Sequence, residues 1–220
     1  MGFTVVTMER QTGAGAEHVA ALVAAGLHFQ LLDAEIVRRA AAAAGVSTET
    51  IEKSERIPSF FERILSSLAL AGSPDTSTDP ALLAMPTLSN RQYRELTEQV
   101  LRGLAIRGQV VILGHAGQVA LQQVPEVLKV LVYAPLELRV SNLTVEAQVG
   151  PEEARKSIES ADGDRERFFD RHHGVRWLDP QLYDLAISTG TFSREEAARV
   201  IIGAVGAQEK ETLSRSAGSS

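Results

Sequence analysis

Apolar residues gather along the chain in five short runs separated by segments with helical periodicity. The runs predict β-strands at residues 3–8, 28–33, 109–114, 127–135 and 183–189. Helical patterns are found at residues 16–25, 34–45, 90–107 and 193–207. Strands that alternate with helices predict an α/β domain with a mostly parallel sheet covered on both faces.

The longest stretch between two predicted strands has a different character. Residues 47–70 are amphipathic and helical, with an interruption near Pro58, and residues 72–86 form a loop rich in Gly, Pro and Ser. We therefore predict a domain at residues 1–205 with a helical insertion at 47–100. Ser193 and Glu196 are spaced as a capping box for the closing helix. The polar tail at 206–220 is predicted to be disordered.

A turn of small residues joins the first strand to the first helix and is the clearest candidate for a binding site. It consists of Thr12, Gly13, Ala14, Gly15 and Ala16. Glycines let the backbone curl so that successive N–H groups point at an anion, at the positive end of the helix dipole. The alternative is a tight packing turn with no ligand. The pattern thus permits a phosphate site without requiring one.

Other candidate residues follow the second and third strands, where ligands bind in open α/β sheets. Asp33 ends the second strand and binds a ligand or caps the following helix. Arg39 either binds a phosphate or extends from an alanine-rich helix into solvent. Gly114 and His115 follow the third strand.

Composition narrows the classes of function. The net charge of −6 argues against a general nucleic-acid surface, and the absence of cysteine excludes disulfides and cysteine nucleophiles. Eighteen of the 22 basic residues are arginines, whose planar guanidinium suits bidentate contact with phosphate, although a GC-rich genome gives the same bias. No apolar stretch is long enough for a membrane span, and we see no signal peptide, so we expect a cytoplasmic protein.

The motifs together resemble the cytidylate kinase-like family, a divergent group of P-loop nucleoside monophosphate kinases. The matching segments are "RQTGAGAEHVA", "LLDAEIVRRAA", "VVILGHAGQVAL", "VLKVLVYAPLELRV" and "ADGDRERFFDRHHGVRWLDPQLYDLAISTG". The resemblance implies a P-loop kinase-like three-layer α/β fold, with a five-stranded parallel sheet, a helical acceptor-binding insertion and a lid at residues 141–181. It also implies ATP and Mg²⁺ as cofactors, with Asp33, Arg39 and His115 binding the acceptor.

The chain departs from the P-loop pattern G-x-x-x-x-G-K-[ST] at three positions. Arg10 replaces the first glycine, Ala16 the lysine, and Glu17 the hydroxyl residue. The lysine normally contacts the β- and γ-phosphates, and the hydroxyl holds Mg²⁺. The glycine turn keeps its backbone donors but lacks both of these side chains, and Glu17 is expected to repel phosphate or to ligate a metal.

Arginines of the lid are the candidates to replace the lost charge. The resemblance implies that Arg165, Arg167 and Arg171 close over the phosphates and act in catalysis. The alternative is a solvated helix face on which these arginines pair with neighbouring acids.

Two functional hypotheses follow for the expected ligand, a nucleotide or phosphorylated small molecule. The first is slow ATP-dependent phosphoryl transfer to a nucleoside monophosphate such as CMP. The second is a catalytically silent module that binds a nucleotide or phosphometabolite and has a regulatory role. A scaffold without nucleotide also stays open. Neither nucleic acid nor membrane is expected as a partner, and a homo-oligomer is compatible with the sequence.

Overall fold

A five-stranded sheet and its flanking helices form the part of the chain described by the computed structural model, residues 2–32 and 90–217. The strands are β1 (Val5–Arg10), β2 (Gln30–Leu32), β3 (Val110–Leu113), β4 (Val127–Tyr133) and β5 (Leu185–Ser188). The helices are α1 (Ala16–Leu27), α2 (Asn90–Arg107), α3 (Gly117–Ala120), α4 (Leu136–Ala147), α5 (Pro151–His173) and α6 (Arg194–Ala217). A 3₁₀ turn, Pro180–Leu182, precedes β5.

The strands lie in the order β2-β3-β1-β4-β5, and every neighbouring pair is parallel. β1 is central, with Val5 opposite Val110 of β3 on one side and Val127 of β4 on the other. The prediction of a five-stranded parallel sheet in an α/β fold is confirmed. The carboxyl ends of β1 and its two neighbours therefore meet at one edge, beside the glycine turn.

One face of the sheet packs against α1 and α6. Val6 and Met8 of β1 belong to the same buried cluster as Val19 of α1 and Ile201 of α6. Since side chains alternate along a strand, residues 5, 7 and 9 point to the opposite face. Glu9 thus extends from the central strand on the face away from α1, close to the edge where ligands bind in such sheets.

Several element boundaries differ from those predicted. β1 extends to Arg10 rather than ending at residue 8, because Glu9 and Arg10 continue the ladder with β4. α6 continues to Ala217, beyond residue 206 where the disordered tail was predicted to begin. Ala, Gln, Glu, Lys and Leu in this segment are good helix formers, which accounts for the extension.

Some predictions cannot be compared with the structure. Asp33, Arg39 and most of the helical insertion at 47–100 lie outside the described residues. Two helices, α4 and α5, occupy most of the range predicted for the lid. Within residues 2–32 and 90–217, no helix has both the length and the apolar character needed to cross a bilayer.

The capping box at the start of α6 is formed. The Ser193 N–H donates to Glu196 Oε2 at 2.8 Å, and the Glu196 N–H donates to Ser193 Oγ at 3.2 Å. The side-chain hydroxyl thereby satisfies an N–H of the first turn that has no partner within the helix. This bond fixes where α6 begins and so positions Arg194, the next residue.

We expect Ser193→Ala to lower the free energy of unfolding by about 1 kcal/mol, because it removes this cap. Urea titration followed by tryptophan fluorescence measures the change. Ser157→Ala is the matched control, since Ser157 is exposed within α5, and it should leave stability within about 0.5 kcal/mol of wild type. Equal effects of the two substitutions would contradict a capping role.

Candidate functional site

The glycine turn between β1 and α1 has the backbone shape of an anion cradle. Gly13 and Gly15 adopt left-handed conformations with φ of +80° and +74°. A Cβ added at Gly13 would lie 2.7 Å from the carbonyl oxygen of Arg139, so only glycine fits there. Gly15 is the N-cap residue of α1 and has no side chain with which to cap the helix. It therefore leaves to other groups, or to an anion, the first-turn N–H donors that a capping side chain would satisfy.

Helices α4 and α5 lie directly against this turn. The side-chain amide of Asn142 donates to the Gly13 carbonyl at 2.9 Å, and Arg139 Nη1 lies 3.4 Å from the Thr12 carbonyl. The Thr12 N–H donates to Asp162 Oδ1 at 3.2 Å. The turn is therefore held from both lid helices, and one of its N–H groups already binds a carboxylate.

Arg165 of α5 makes the most extensive contacts between the lid and the turn. Its Nη1 donates to the Arg10 carbonyl at 3.1 Å and lies 3.4 Å from Thr12 Oγ1. Its Nε lies 3.4 Å from Glu9 Oε1, and its guanidinium stacks 5.1 Å from the centre of the Trp177 ring. One side chain thus joins the end of β1, the turn and the segment after α5.

Glu9 is a buried carboxylate at the carboxyl end of the central strand, only 3% exposed. Burial raises its pKa, and the charge of Arg165 and the Arg10 N–H partly oppose that shift. Burial also raises the pKa of Tyr183, whose hydroxyl donates to the Trp177 carbonyl at 2.7 Å and accepts from Gln118 at 3.2 Å. Two buried polar groups thus lie near Arg165, and Arg165 is the cation that faces Glu9.

Two more arginines approach the turn from other elements. Arg10 Nε lies 2.6 Å from Glu17 Oε1, and its Nη1 lies 3.2 Å from where a Cβ of Gly114 would be. The guanidinium of Arg194 lies against Gly15 and pairs with Glu146 of α4 at 2.9 Å. Four arginines of four different elements thus surround the turn, and each has a carboxylate partner. These pairs are Arg10–Glu17, Arg139–Asp162, Arg165–Glu9 and Arg194–Glu146.

The structure brings together only some of the residues predicted for the site. Residues 12–16 form the turn, and of the three lid arginines Arg165 contacts it. Arg167 is 64% exposed and pairs with Asp164 at 2.6 Å on its own helix, and Arg171 is also exposed. His115 is half-buried on the segment after β3, with φ of +61°.

Sequence reasoning did not identify several residues that the structure places at the turn. Glu9, Arg139 and Arg194 were not singled out, and Asp162 was considered only as a partner for nearby arginines. Glu9 had one usable signal, a carboxylate inside an apolar strand that must be paired if it is buried. The contacts that Arg139 and Arg194 make with the turn span more than a hundred positions in sequence, and no local pattern indicates them.

We expect Arg165→Ala to lower the free energy of unfolding by roughly 3 kcal/mol, because it leaves the buried Glu9 carboxylate without its cation. Arg167→Ala is the matched control two residues along α5, and an exposed arginine should change stability by no more than about 0.5 kcal/mol. Chemical denaturation of both variants measures the difference. Similar small effects would show that Arg165 is not needed to hold the lid against the turn.

Glu9 also predicts a pH dependence of stability. Because its pKa is raised on folding, the unfolded chain releases this proton more readily, and the folded state loses stability as the pH rises from the ordinary glutamate value through the raised one. The difference in free energy of unfolding, wild type minus Glu9→Gln, should therefore fall as the pH rises above about 4.5. Glu166→Gln, at an exposed position on α5, is the control for the chemical change itself. A difference that grows with pH would mean that Arg165 outweighs burial.

Comparison with known proteins gives one relative of assigned activity. The chain is 26% identical over 118 residues to a cytidylate kinase of Methanopyrus kandleri, and this match covers 53% of the chain and 60% of that protein. The chain thus spans about 60% of the length of the curated relative it matches.

Solved structures provide a comparison of the fold. An uncharacterized protein from Eubacterium ventriosum is similar with a TM-score of 0.64 and 14% identity, over 92% of this chain and 98% of that one. A shikimate kinase from Acinetobacter baumannii in complex with shikimate has a TM-score of 0.45 and 16% identity, over 91% of each chain. The first of these likenesses supports the α/β fold described above.

A family model covers most of the chain. The model of the cytidylate kinase-like family matches residues 5–191, which include the glycine turn, the lid helices and all five strands. The resemblance found from the motifs is confirmed. The chain belongs to the cytidylate kinase-like family.

Proposed function

We propose that this protein binds the phosphates of a nucleotide at the glycine turn and transfers a phosphoryl group from ATP to a nucleoside monophosphate such as CMP only slowly. The observation that carries the proposal is the uncapped N-terminus of α1, over which Gly13 and Gly15 curl. Backbone N–H groups and a helix dipole at this point attract a phosphate. Arg165 is held against the same turn by the lid.

Each site residue has a role in this proposal. Residues 12–16 hold the phosphates, and Arg165 neutralises charge that develops on the transferring group. Arg167 and Arg171 are exposed on α5. They contribute to charge neutralisation with Arg165 only if a movement of the lid brings them to the glycine turn. The proposed acceptor-binding residues are Asp33, Arg39 and His115.

Transfer is expected to be slow because the cations of the site are already paired. Phosphoryl transfer depends on positioning and on neutralising charge spread over three oxygens. Arg10, Arg165 and Arg194 each face a carboxylate. The ligand must displace those carboxylates or share the arginines with them, and no lysine of the turn adds charge.

The described residues do not provide a preformed Mg²⁺ site. No three His, Asp or Glu side chains come together as metal ligands in residues 2–32 and 90–217. Glu17, in place of the hydroxyl that holds Mg²⁺ in P-loop kinases, is paired with Arg10 at 2.6 Å. The residues therefore fit a phosphate better than a metal, and Mg²⁺ is expected to arrive with ATP.

A catalytically silent binding module is the second candidate. The pairing of all four arginines around the turn favours it, since the site is balanced in charge without a ligand. In that case the nucleotide or phosphometabolite shifts the lid rather than reacting. Binding without turnover distinguishes this candidate from the first.

We expect conversion of CMP to CDP by ATP and Mg²⁺ to proceed at least a hundredfold below the ~1–100 per second of ordinary kinases. Coupled detection of ADP measures the rate, with a purified cytidylate kinase as reference. Ala16→Lys combined with Glu17→Thr restores the lysine and hydroxyl and should raise the rate. Turnover in the ordinary range for wild type would contradict the proposal.

Calorimetry with ATP separates the remaining outcomes. If the wild type and the Ala16→Lys/Glu17→Thr variant both bind ATP but neither phosphorylates CMP, the silent module is supported. No binding of ATP or ADP at millimolar concentration would reject the proposed nucleotide binding and leave a module for another phosphometabolite or a scaffold.

A further inference from the structure

The carboxylate of Asp162 is bound by the kinds of donor that usually hold a phosphoryl group. Its Oδ1 accepts from the Thr12 N–H at 3.2 Å, and its Oδ2 lies 2.5 Å from Arg139 Nη1. Arg165 Nη1 lies 3.8 Å from Oδ1. A loop N–H and two guanidinium groups are the donors that P-loop proteins and arginine clusters present to phosphate oxygens.

We propose that Asp162 occupies the place of a terminal phosphoryl group at the glycine turn and makes the site selective for nucleoside diphosphates over triphosphates. This inference rests on the proposed function, that the turn binds the phosphates of a nucleotide. Asp162 is then a specificity-determining residue, because it sets how many phosphoryl groups the site accepts.

The two ends of the turn differ in their donors. At the α1 end, Gly15 provides no side-chain cap, so the first N–H groups of the helix can bind an anion. At the other end, the Thr12 N–H is already used by Asp162. A short phosphate chain fits at the α1 end. A longer chain must compete with the carboxylate at Thr12.

Arg139 holds the Asp162 carboxylate at this end of the turn from a buried position. It is 7% exposed, and its buried Nε has no hydrogen-bond partner among the residues that the structure describes. Its Nη1 is directed at Thr12 and Asp162. A buried guanidinium nitrogen without an acceptor is costly. The pair with Asp162 is therefore made by the outer nitrogen of a guanidinium that is almost fully buried.

Charge explains why the longer ligand is disfavoured. A triphosphate that reaches Thr12 can separate Asp162 from Arg139. The Asp162 side chain is 18% exposed and the Arg139 side chain 8% exposed, so both charges are largely shielded from water. If the pair stays intact, the triphosphate brings its own negative charge next to a partly buried carboxylate. Either route weakens binding of the triphosphate relative to the diphosphate.

The same helix supplies a matched control residue. Asp164 is two residues from Asp162 on α5, but it is 71% exposed and pairs with Arg167. Replacing Asp164 by asparagine changes the net charge of the helix by the same amount without touching the turn. A general effect of charge on ATP binding would therefore appear equally in both variants.

The test is calorimetric titration of the full chain with ADP and with ATP, each in the presence of Mg²⁺. We compare wild type, Asp162→Asn, the charge-preserving Asp162→Glu and Asp164→Asn. Wild type should bind ADP at least as tightly as ATP. Asp162→Asn should raise the affinity for ATP relative to ADP by roughly tenfold or more, while Asp162→Glu and Asp164→Asn keep the wild-type ratio. The fluorescence of Trp177, the only tryptophan of the chain, reports binding independently.

Several outcomes would overturn the inference. If the wild-type protein binds ATP more tightly than ADP, the inference is overturned. This outcome needs no variant, so the inference can be tested even if Asp162→Asn does not fold. A folded Asp162→Asn with an unchanged ratio, or an equal change in Asp164→Asn, would also reject it while leaving the proposed nucleotide binding intact. If neither nucleotide binds to wild type or Asp162→Asn, the proposed function fails and the inference fails with it.

Discussion

The contact between Arg165 and the buried Glu9 carboxylate determines how the lid meets the sheet. Glu9 lies at the end of the central strand and is 3% exposed, where a carboxylate must be paired or neutral. Arg165 supplies the cation from α5, 156 positions later in the chain, and stacks on Trp177 as it does so. Once this guanidinium is fixed, the neighbouring part of α5 must lie beside the glycine turn. Asp162, one turn before Arg165 on the same helix, is then close enough to accept the Thr12 N–H.

The electrostatics of the turn differ from those of a lysine-containing P-loop. In such a loop the cations face an open cradle and contact the phosphates of the bound nucleotide. Here each guanidinium near the turn already faces an acid, so the folded protein balances the charge of the site internally. The start of α1 has no side-chain cap. In the proposed function, this part of the site binds a phosphate, whereas the side chains that activate a phosphoryl group in a P-loop are replaced.

The sheet could be predicted from the sequence because its information is local. Each strand is a short apolar run, and the glycines of the turn are needed for two positive φ angles between a strand and a helix. The predicted end of β1 was wrong because strand pairing extends β1 beyond its apolar residues. Glu9 and Arg10 are polar, yet both continue β1 because β4 is paired beside them.

The candidate site was predictable only in part for the same reason. Residues 12–16 and Arg165 came from motifs, but the partners that define their environment come from distant parts of the chain. Arg139 contacts the Thr12 carbonyl across 127 positions, and Asp162 accepts the Thr12 N–H across 150. Arg167 and Arg165 look equivalent in sequence, and only the fold shows that Arg165 faces the turn whereas Arg167 is exposed. Such assignments depend on which face of α5 lies toward the glycine turn.

The two acids that distinguish this turn act at its opposite ends. Glu17 lies in the first turn of α1 and pairs with Arg10, which reaches from the end of β1. Asp162 binds the Thr12 N–H and pairs with Arg139 from the lid. In the proposed nucleotide complex, the phosphate chain must fit between these two carboxylates, and the arginines on both sides can pair with either the acids or the ligand. The length and charge of the chain then decide whether the arginines stay paired within the protein or turn to the ligand.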